Sequence, residues 1–260
     1  MSAAAIGVPA PYAGPAPSLR KKAAIMTAAT IAHVDTLLIG TPQPLGPRSV
    51  PSSIATRQPV TGPVQVGENG LIGDQVGDTK IHGGPEKAIH LYPHDHYAAW
   101  AAEQPAMAPL LAQPGAFGEN LSVSGLVEAD VCLGDVVEIG STRLQLAQGR
   151  QPCWKLGVRF GLPVLPRLVQ KTGRIGWYYR VLTPGTIRQG DPIRLLDRPN
   201  PAWDLASTLR LLYVDTLDRD RLEVLAELPG ASPGLRRLAA NRLANAAVED
   251  WGRRLDGMPS

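Results

Sequence analysis

Two short stretches hold most of the side chains able to do chemistry. GRQPCWKL (149–156) sets Cys153 behind Arg150, Gln151 and Pro152 and just ahead of Lys155. A cysteine is a nucleophile or a metal ligand only as the thiolate, and a free-thiol pKa of about 8.5 falls to roughly 3.5–7.5 beside cations or at a helix N-terminus. Arg150 and Lys155 are such cations. Pro152 suits the first turn of a short helix expected over 154–160, where its missing N–H would be unpaired anyway. This combination describes an anion or metal pocket. The competing reading is structural: unpaired cysteine is among the most buried residue types, and Cys153 would pack well as a small hydrophobe.

The second stretch, DTKIHGGPEKAIHLYPHDHY (78–97), carries Lys80, His82, a Gly83-Gly84-Pro85 turn, Lys87 and His90. Four of the five histidines fall between positions 82 and 96, which raises a zinc centre built on His82, His90, His94 and His96 as one reading. Against it, no HExxH pattern or cysteine accompanies them, and a histidine beside a helix start is commonly a cap or a surface residue. A third stretch, GAFGENLSVSGL (115–126), places Phe117 between glycines ahead of Glu119 and Asn120. Phe117 packed beneath a turn would hold Asn120 at a pocket edge; a plain buried anchor is the alternative.

These residues need a scaffold, and the patterning points to a β-rich one. With 27 glycines and 25 prolines in 260 residues, turns and short elements outnumber long helices over most of the length. Strands are expected over 33–40, around Val64 and Val66, over 177–182 and over 193–196, and a helix over 95–102. Val137 and Ile139, then Leu144 and Leu146, alternate around a Gly140-Ser141 hairpin turn that delivers the chain to Cys153. Short strands at this spacing suggest a sandwich or barrel. Beyond 198–201 glycine and proline thin out and leucine recurs at helical spacing, from Leu205 through Leu222 and Leu235 to Leu255, which reads as three helices. So small a bundle has a marginal core, so it is expected to pack on the β body or pair in a homodimer. The expected organisation is a disordered tail over 1–30, a β-barrel domain over 31–200 and a three-helix domain over 201–260. Met26 is a second candidate start.

Composition narrows the partners. Basic residues exceed acidic ones by three, without the clustered runs of a nucleic-acid or membrane surface. Two cysteines make neither a disulfide framework nor a zinc knuckle, so a reduced, cytoplasmic chain is expected. No run approaches the roughly 20 apolar residues of a membrane span.

Taken together, KIHGGPEKAIHLYPHDHYAAW, GAFGENLSVSGL, QGRQPCWKL and TGRIGWYYRVL, in this order and spacing, resemble the MOSC-domain proteins of the YiiM-like group. The resemblance implies a mainly β, barrel-like MOSC domain with peripheral helices and a C-terminal three-helix extension. It implies molybdenum-cofactor binding with Cys153 as the metal ligand, and names pyridoxal phosphate as a further family ligand. The activity implied is reduction of N-hydroxylated compounds such as hydroxylaminopurine bases. Lys80, Gly83, Gly84, Lys87, His90, Asn120, Arg150 and Gln151 would hold the cofactor, the glycine turn bringing backbone N–H groups close to its anionic phosphate. His82 or His90 would supply a proton, because histidine titrates near neutrality. A separate electron-donor protein is required, since the chain has no GxGxxG fingerprint and no cysteine set for an iron–sulfur cluster. The alternative is a carrier that holds sulfur or cofactor on Cys153 without turnover.

Overall fold

The computed structural model describes residues 28–79 and 82–257. Most of the expected tail and Lys80 therefore lie outside the described residues. The chain opens with seven short strands: β1 (Ala29–His33), β2 (Thr36–Ile39), β3 (Gln43–Leu45), β4 (Val50–Ser52), β5 (Gln58–Pro59), β6 (Val64–Gly67) and β7 (Gly70–Leu71). β3, β4 and β5 each carry a proline, Pro44, Pro51 and Pro59, which cannot donate to a ladder and keeps them short. A single 3₁₀ turn, Pro85–Lys87, leads into β8 (Ile89–Pro93), a fully buried strand, then α1 (Asp95–Glu103), α2 (Ala108–Leu111) and β9 (Leu121–Val123). Tyr97 and Trp100 are the buried face of α1.

The hairpin follows as read, with β10 (Val136–Ile139) and β11 (Thr142–Gly149) joined by two residues. After it come α3 (Lys155–Phe160), α4 (Leu165–Thr172), β12 (Trp177–Thr183), β13 (Gly185–Ile187) and β14 (Pro192–Asp197). Nine strands form one sheet in the order β1-β14-β10-β11-β12-β8-β9-β2-β5, antiparallel except for β8 with β9.

The expected barrel is corrected to an open, curled sheet: among the described residues no ladder joins its edge strands β1 and β5. The curl comes from one continuous run. β1 pairs with β14 at one edge and β2 with β9 near the other, while between them Val34 N–H donates to Asp191 O (3.0 Å) and Asp35 N–H to Ser122 O (3.1 Å). Closure stops at β5, two residues ending in a proline.

The three expected C-terminal helices are present as α5 (Leu205–Tyr213), α6 (Arg219–Glu227) and α7 (Pro233–Asn245), and among the described residues a short α8 (Gly252–Asp256) follows them. The third expected helix breaks at Ala246, which is left-handed (φ 48°). Asp204, Asp218 and Ser232 cap α5, α6 and α7, each accepting a backbone N–H three residues on, the usual means of satisfying the orphan donors of a first turn. The helices dock on β11: Ser232 N–H donates to Ala147 O (2.8 Å), and a Cβ on Gly149 would lie 3.1 Å from Leu209. The strand that leads to Cys153 is thus held by the helical part at two points. No helix among the described residues is long and apolar enough to cross a membrane.

Candidate functional site

A cavity of about 660 Å³ opens where the end of β11, the 3₁₀ turn before β8 and the loops around 52–57 and 74–79 converge. Of the residues singled out from sequence, His82, Gly83, Gly84, Lys87, His90, Asn120, Arg150 and Cys153 line it. Lys80 lies outside the described residues. Gln151 is corrected: it is not among the lining residues, and its backbone carbonyl is taken by Arg254 Nη2 (3.1 Å).

Each group is placed by its element. Arg150 leaves β11 with its N–H donating to Gly176 O (3.0 Å), and Cys153 is set just before α3, its carbonyl accepting from Leu156 N–H (3.0 Å). Cys153 is only 5% exposed. His90 is the second residue of β8, where its N–H donates to Asn120 Oδ1 (3.1 Å) and its carbonyl accepts from Asn120 N–H (2.8 Å). Gly84, with φ 96° and nothing within 4 Å of where a Cβ would stand, takes a backbone turn that L side chains rarely adopt and starts the 3₁₀ turn carrying Lys87.

Asn120 is a wall rather than a free amide. Its Nδ2 donates to Leu38 O (3.2 Å) and to Asp74 Oδ2 (3.0 Å). Asp74 in turn accepts from Gly40 N–H (2.8 Å) and pairs with Arg57, whose Nε also donates to Gly118 O (3.1 Å). Burial pushes the Arg57 pKa down to about 10. Glu119, fully buried, accepts from Gly115 N–H (2.7 Å), Phe117 N–H (3.0 Å) and the Tyr97 hydroxyl, which folds the 115–120 turn onto α1. Phe117 is the buried anchor, stacked on Tyr92 with ring centres 4.1 Å apart.

Sequence reasoning missed Ser52, Ser53 and Arg57, which stand in a proline-containing stretch, and Asp74, which stands among glycine turns, with no pattern to mark them. Tyr178 lies within the TGRIGWYYRVL motif, and its ring is 5.0 Å from that of His90 at the cavity wall. Lys155, already noted as a flanking cation, lines the cavity and donates to Pro51 O (3.3 Å).

Electrostatics single out what the cavity lacks. Both ring nitrogens of His82, Nε2 of His90 and Nη1 of Arg150 are buried without a partner. Burying polar groups unpaired is costly, so several such atoms around one cavity mark where a ligand's acceptors and donors belong. Burial, then the charges of Lys155, Arg254 and Arg150, hold the His82 pKa down to about 3, and burial followed by Arg150 holds His90 well below its ordinary value. This corrects the expectation of a readily titrating imidazole: in the protein alone both histidines are neutral at neutral pH. Lys87 is also shifted down, by burial and by Arg254.

The zinc reading is corrected too. Among the described residues no three His, Cys, Asp or Glu side chains gather at metal-binding distance. His96 Nε2 instead pairs with Glu128 Oε2 (2.7 Å), and the His94 ring packs 4.6 Å from that of Tyr97. Cys132 is remote from this chemistry, its thiol pushed up to about 12 by burial and by Asp135.

Comparison with known proteins fits this geometry. The MOSC domain family matches residues 78–194, and the YiiM-like, 3-alpha helix domain matches residues 203–246. The chain is 37% identical over 211 residues to Protein YiiM of Escherichia coli (strain K12), covering 81% of this chain and 93% of that protein. A protein named Reductase from Gibberella moniliformis is 37% identical over 179 residues, 68% of this chain but 32% of its own length. The crystal structure of YiiM from Escherichia coli superposes with a TM-score of 0.73 at 30% identity, covering 86% of this chain and 98% of that one. The two family matches, the shared length and the shared fold agree that the chain belongs to the MOSC-domain proteins, in their YiiM-like branch.

Proposed function

We propose that the protein is a molybdenum-cofactor-dependent reductase of N-hydroxylated compounds of the hydroxylaminopurine type, with electrons delivered by a separate redox protein. The observation that carries the reading is the meeting of a buried thiol, Cys153, with unpartnered polar atoms of His82, His90 and Arg150 in one cavity. A molybdenum pterin asks for a soft ligand, cations for its phosphate and polar donors for its ring, and these residues fit each demand. Cys153 would hold the metal as thiolate. Arg150, Lys87 and Lys155 would face the phosphate, Arg150 through a free Nη1.

When bound, the cofactor supplies the two electrons that break an N–O bond. Overall, R–NHOH takes up two electrons and two protons to give R–NH2 and water. His82, neutral and unpartnered at both nitrogens, can donate from one and accept on the other, which makes it a proton relay rather than a standing acid. Tyr178 offers a flat ring beside His90 against which a planar base could lie. The carrier reading is less favoured, because handing sulfur to another protein needs an accessible thiol and Cys153 is 5% exposed.

The test is molybdenum and pterin content of protein purified from cells that make the cofactor, beside Cys153→Ser, with turnover of a hydroxylamine substrate on an artificial electron donor. Stoichiometric molybdenum, lost in the variant, and reduction to the amine are expected. Loaded protein without turnover would return the carrier reading, and absence of molybdenum from both proteins would overturn the proposal.

A further inference from the structure

The last described stretch, residues 251–257, lies beyond the part matched by the helical family model, which ends at residue 246. It is laid across the loop that carries Cys153. Arg254 Nη2 donates to Gln151 O (3.1 Å) and its Nε to Pro152 O (3.2 Å), while Trp154 N–H donates to Arg254 O (2.9 Å). One arginine therefore holds the two carbonyls before the thiol and the amide after it.

The stretch is itself tied down at both ends. Glu249 takes two bonds from the buried Arg242 (2.7 and 3.0 Å), and Trp251 meets Tyr213 with ring centres 5.7 Å apart. Beyond Arg254, Leu255 is 2% exposed, Asp256 pairs with Arg167 (2.7 Å), and Gly257 O accepts from Arg48 (2.9 Å), whose guanidinium lies over the Trp154 ring. Residues 150–154 belong to no strand, and α3 begins only at Lys155. Their conformation depends on bonds from outside the loop.

We infer that Arg254 is a positioning residue for Cys153, and that α8 is a clasp by which the C-terminal helices hold the thiol at the cavity wall. A planar fork suits two adjacent carbonyls, whereas a lysine ammonium on a flexible stem can reach one at a time. Hydrogen bonds from a charged donor are among the stronger ones, so losing both should release the loop locally. The assignment concerns the polypeptide and holds whatever the cavity binds.

The experiment uses full-length protein from cells unable to make the molybdenum cofactor. Alkylation of Cys153 by iodoacetamide is followed by peptide-resolved mass spectrometry at a pH where the thiol is fully ionised, so that the rate reports access. Arg254→Ala is expected to raise the Cys153 rate by about tenfold, a change of about 1.4 kcal/mol in the opening equilibrium. Arg254→Lys should fall between that variant and the parent, and Arg253→Ala, at an exposed neighbour, should match the parent. Cys132, read in the same digests, should keep its rate in every variant. An Arg254→Ala rate within twofold of the parent would overturn the inference. So would a Cys132 rate that climbs in step with Cys153, since that reports general loosening. If Arg254→Ala does not fold, the Lys variant decides by the same comparison.

Discussion

At the scale of single residues, His82 and His90 are imidazoles kept uncharged in a cavity ringed by cations, and this has a pH signature. The folded pKa values lie below the unfolded value of 6.5, so the unfolded chain takes up protons first as pH falls. Stability is then full above about pH 6.5 and declines below it, for His82 until its folded pKa of about 3, by at most about 1.4 kcal/mol per pH unit for each histidine. Urea unfolding followed from pH 7 to pH 5 should show this decline, with a shallower slope in His82→Gln; equal slopes would count against a buried neutral His82. Arg57 poses the reverse problem. Its side chain is 5% exposed and that of its partner Asp74 10%, so Arg57→Met leaves a buried carboxylate with its Gly40 and Asn120 bonds only. A loss of about 3–5 kcal/mol is expected in chemical denaturation. Much of the site was legible at this scale, because Cys153, His82 and Arg150 are chemically conspicuous within dense motifs. Asp74 and Arg57 were not: an Asp among glycine turns or an Arg beside prolines looks like any solvated charge until the fold buries both.

At the scale of elements, the hairpin of β10 and β11, the helix α1 and the strands β12 and β14 follow from two-residue or helical periodicity. Sheet order does not, since alternation tells which face is buried and not which strand lies beside which. The split between α7 and α8 was hidden as well. Trp251 and Leu255 continue the leucine spacing of α7, and Ala246 is a good helix former that gives no warning of its left-handed turn. Gly176 shows how tightly the elements meet at the site. It has φ 68°, and a Cβ there would stand 2.4 Å from Leu91 O and 3.1 Å from His90 Nε2. Gly176→Ala is expected to cost about 1–3 kcal/mol by thermal or urea unfolding and to push apart β8 and the Arg150 turn. A variant as stable as the parent would show that this approach is looser than described.

At the scale of the whole molecule, the helical part is bonded into the sheet rather than appended to it. Arg242, whose side chain has no exposed surface, donates to Leu212 O (2.9 Å) and Thr216 O (3.2 Å) and pairs with Glu249. It thereby satisfies carbonyls at the C-terminal end of α5, where a positive charge also complements the helix dipole. Arg242→Ala is expected to lower stability by about 3 kcal/mol or more, with little recovery in Arg242→Lys, because one ammonium cannot reproduce the fork. Denaturant midpoints of the two variants beside the parent check this. The pairing of β1 with β14 reaches further still, because Ala29 lies opposite Leu195. A ribosome makes the first of these strands long before the last. The nascent chain therefore carries an edge strand without its partner until β14 has been made, a form prone to mispairing. The thiol loop also waits, since Arg254 emerges 102 residues after Pro152, whose carbonyl it holds.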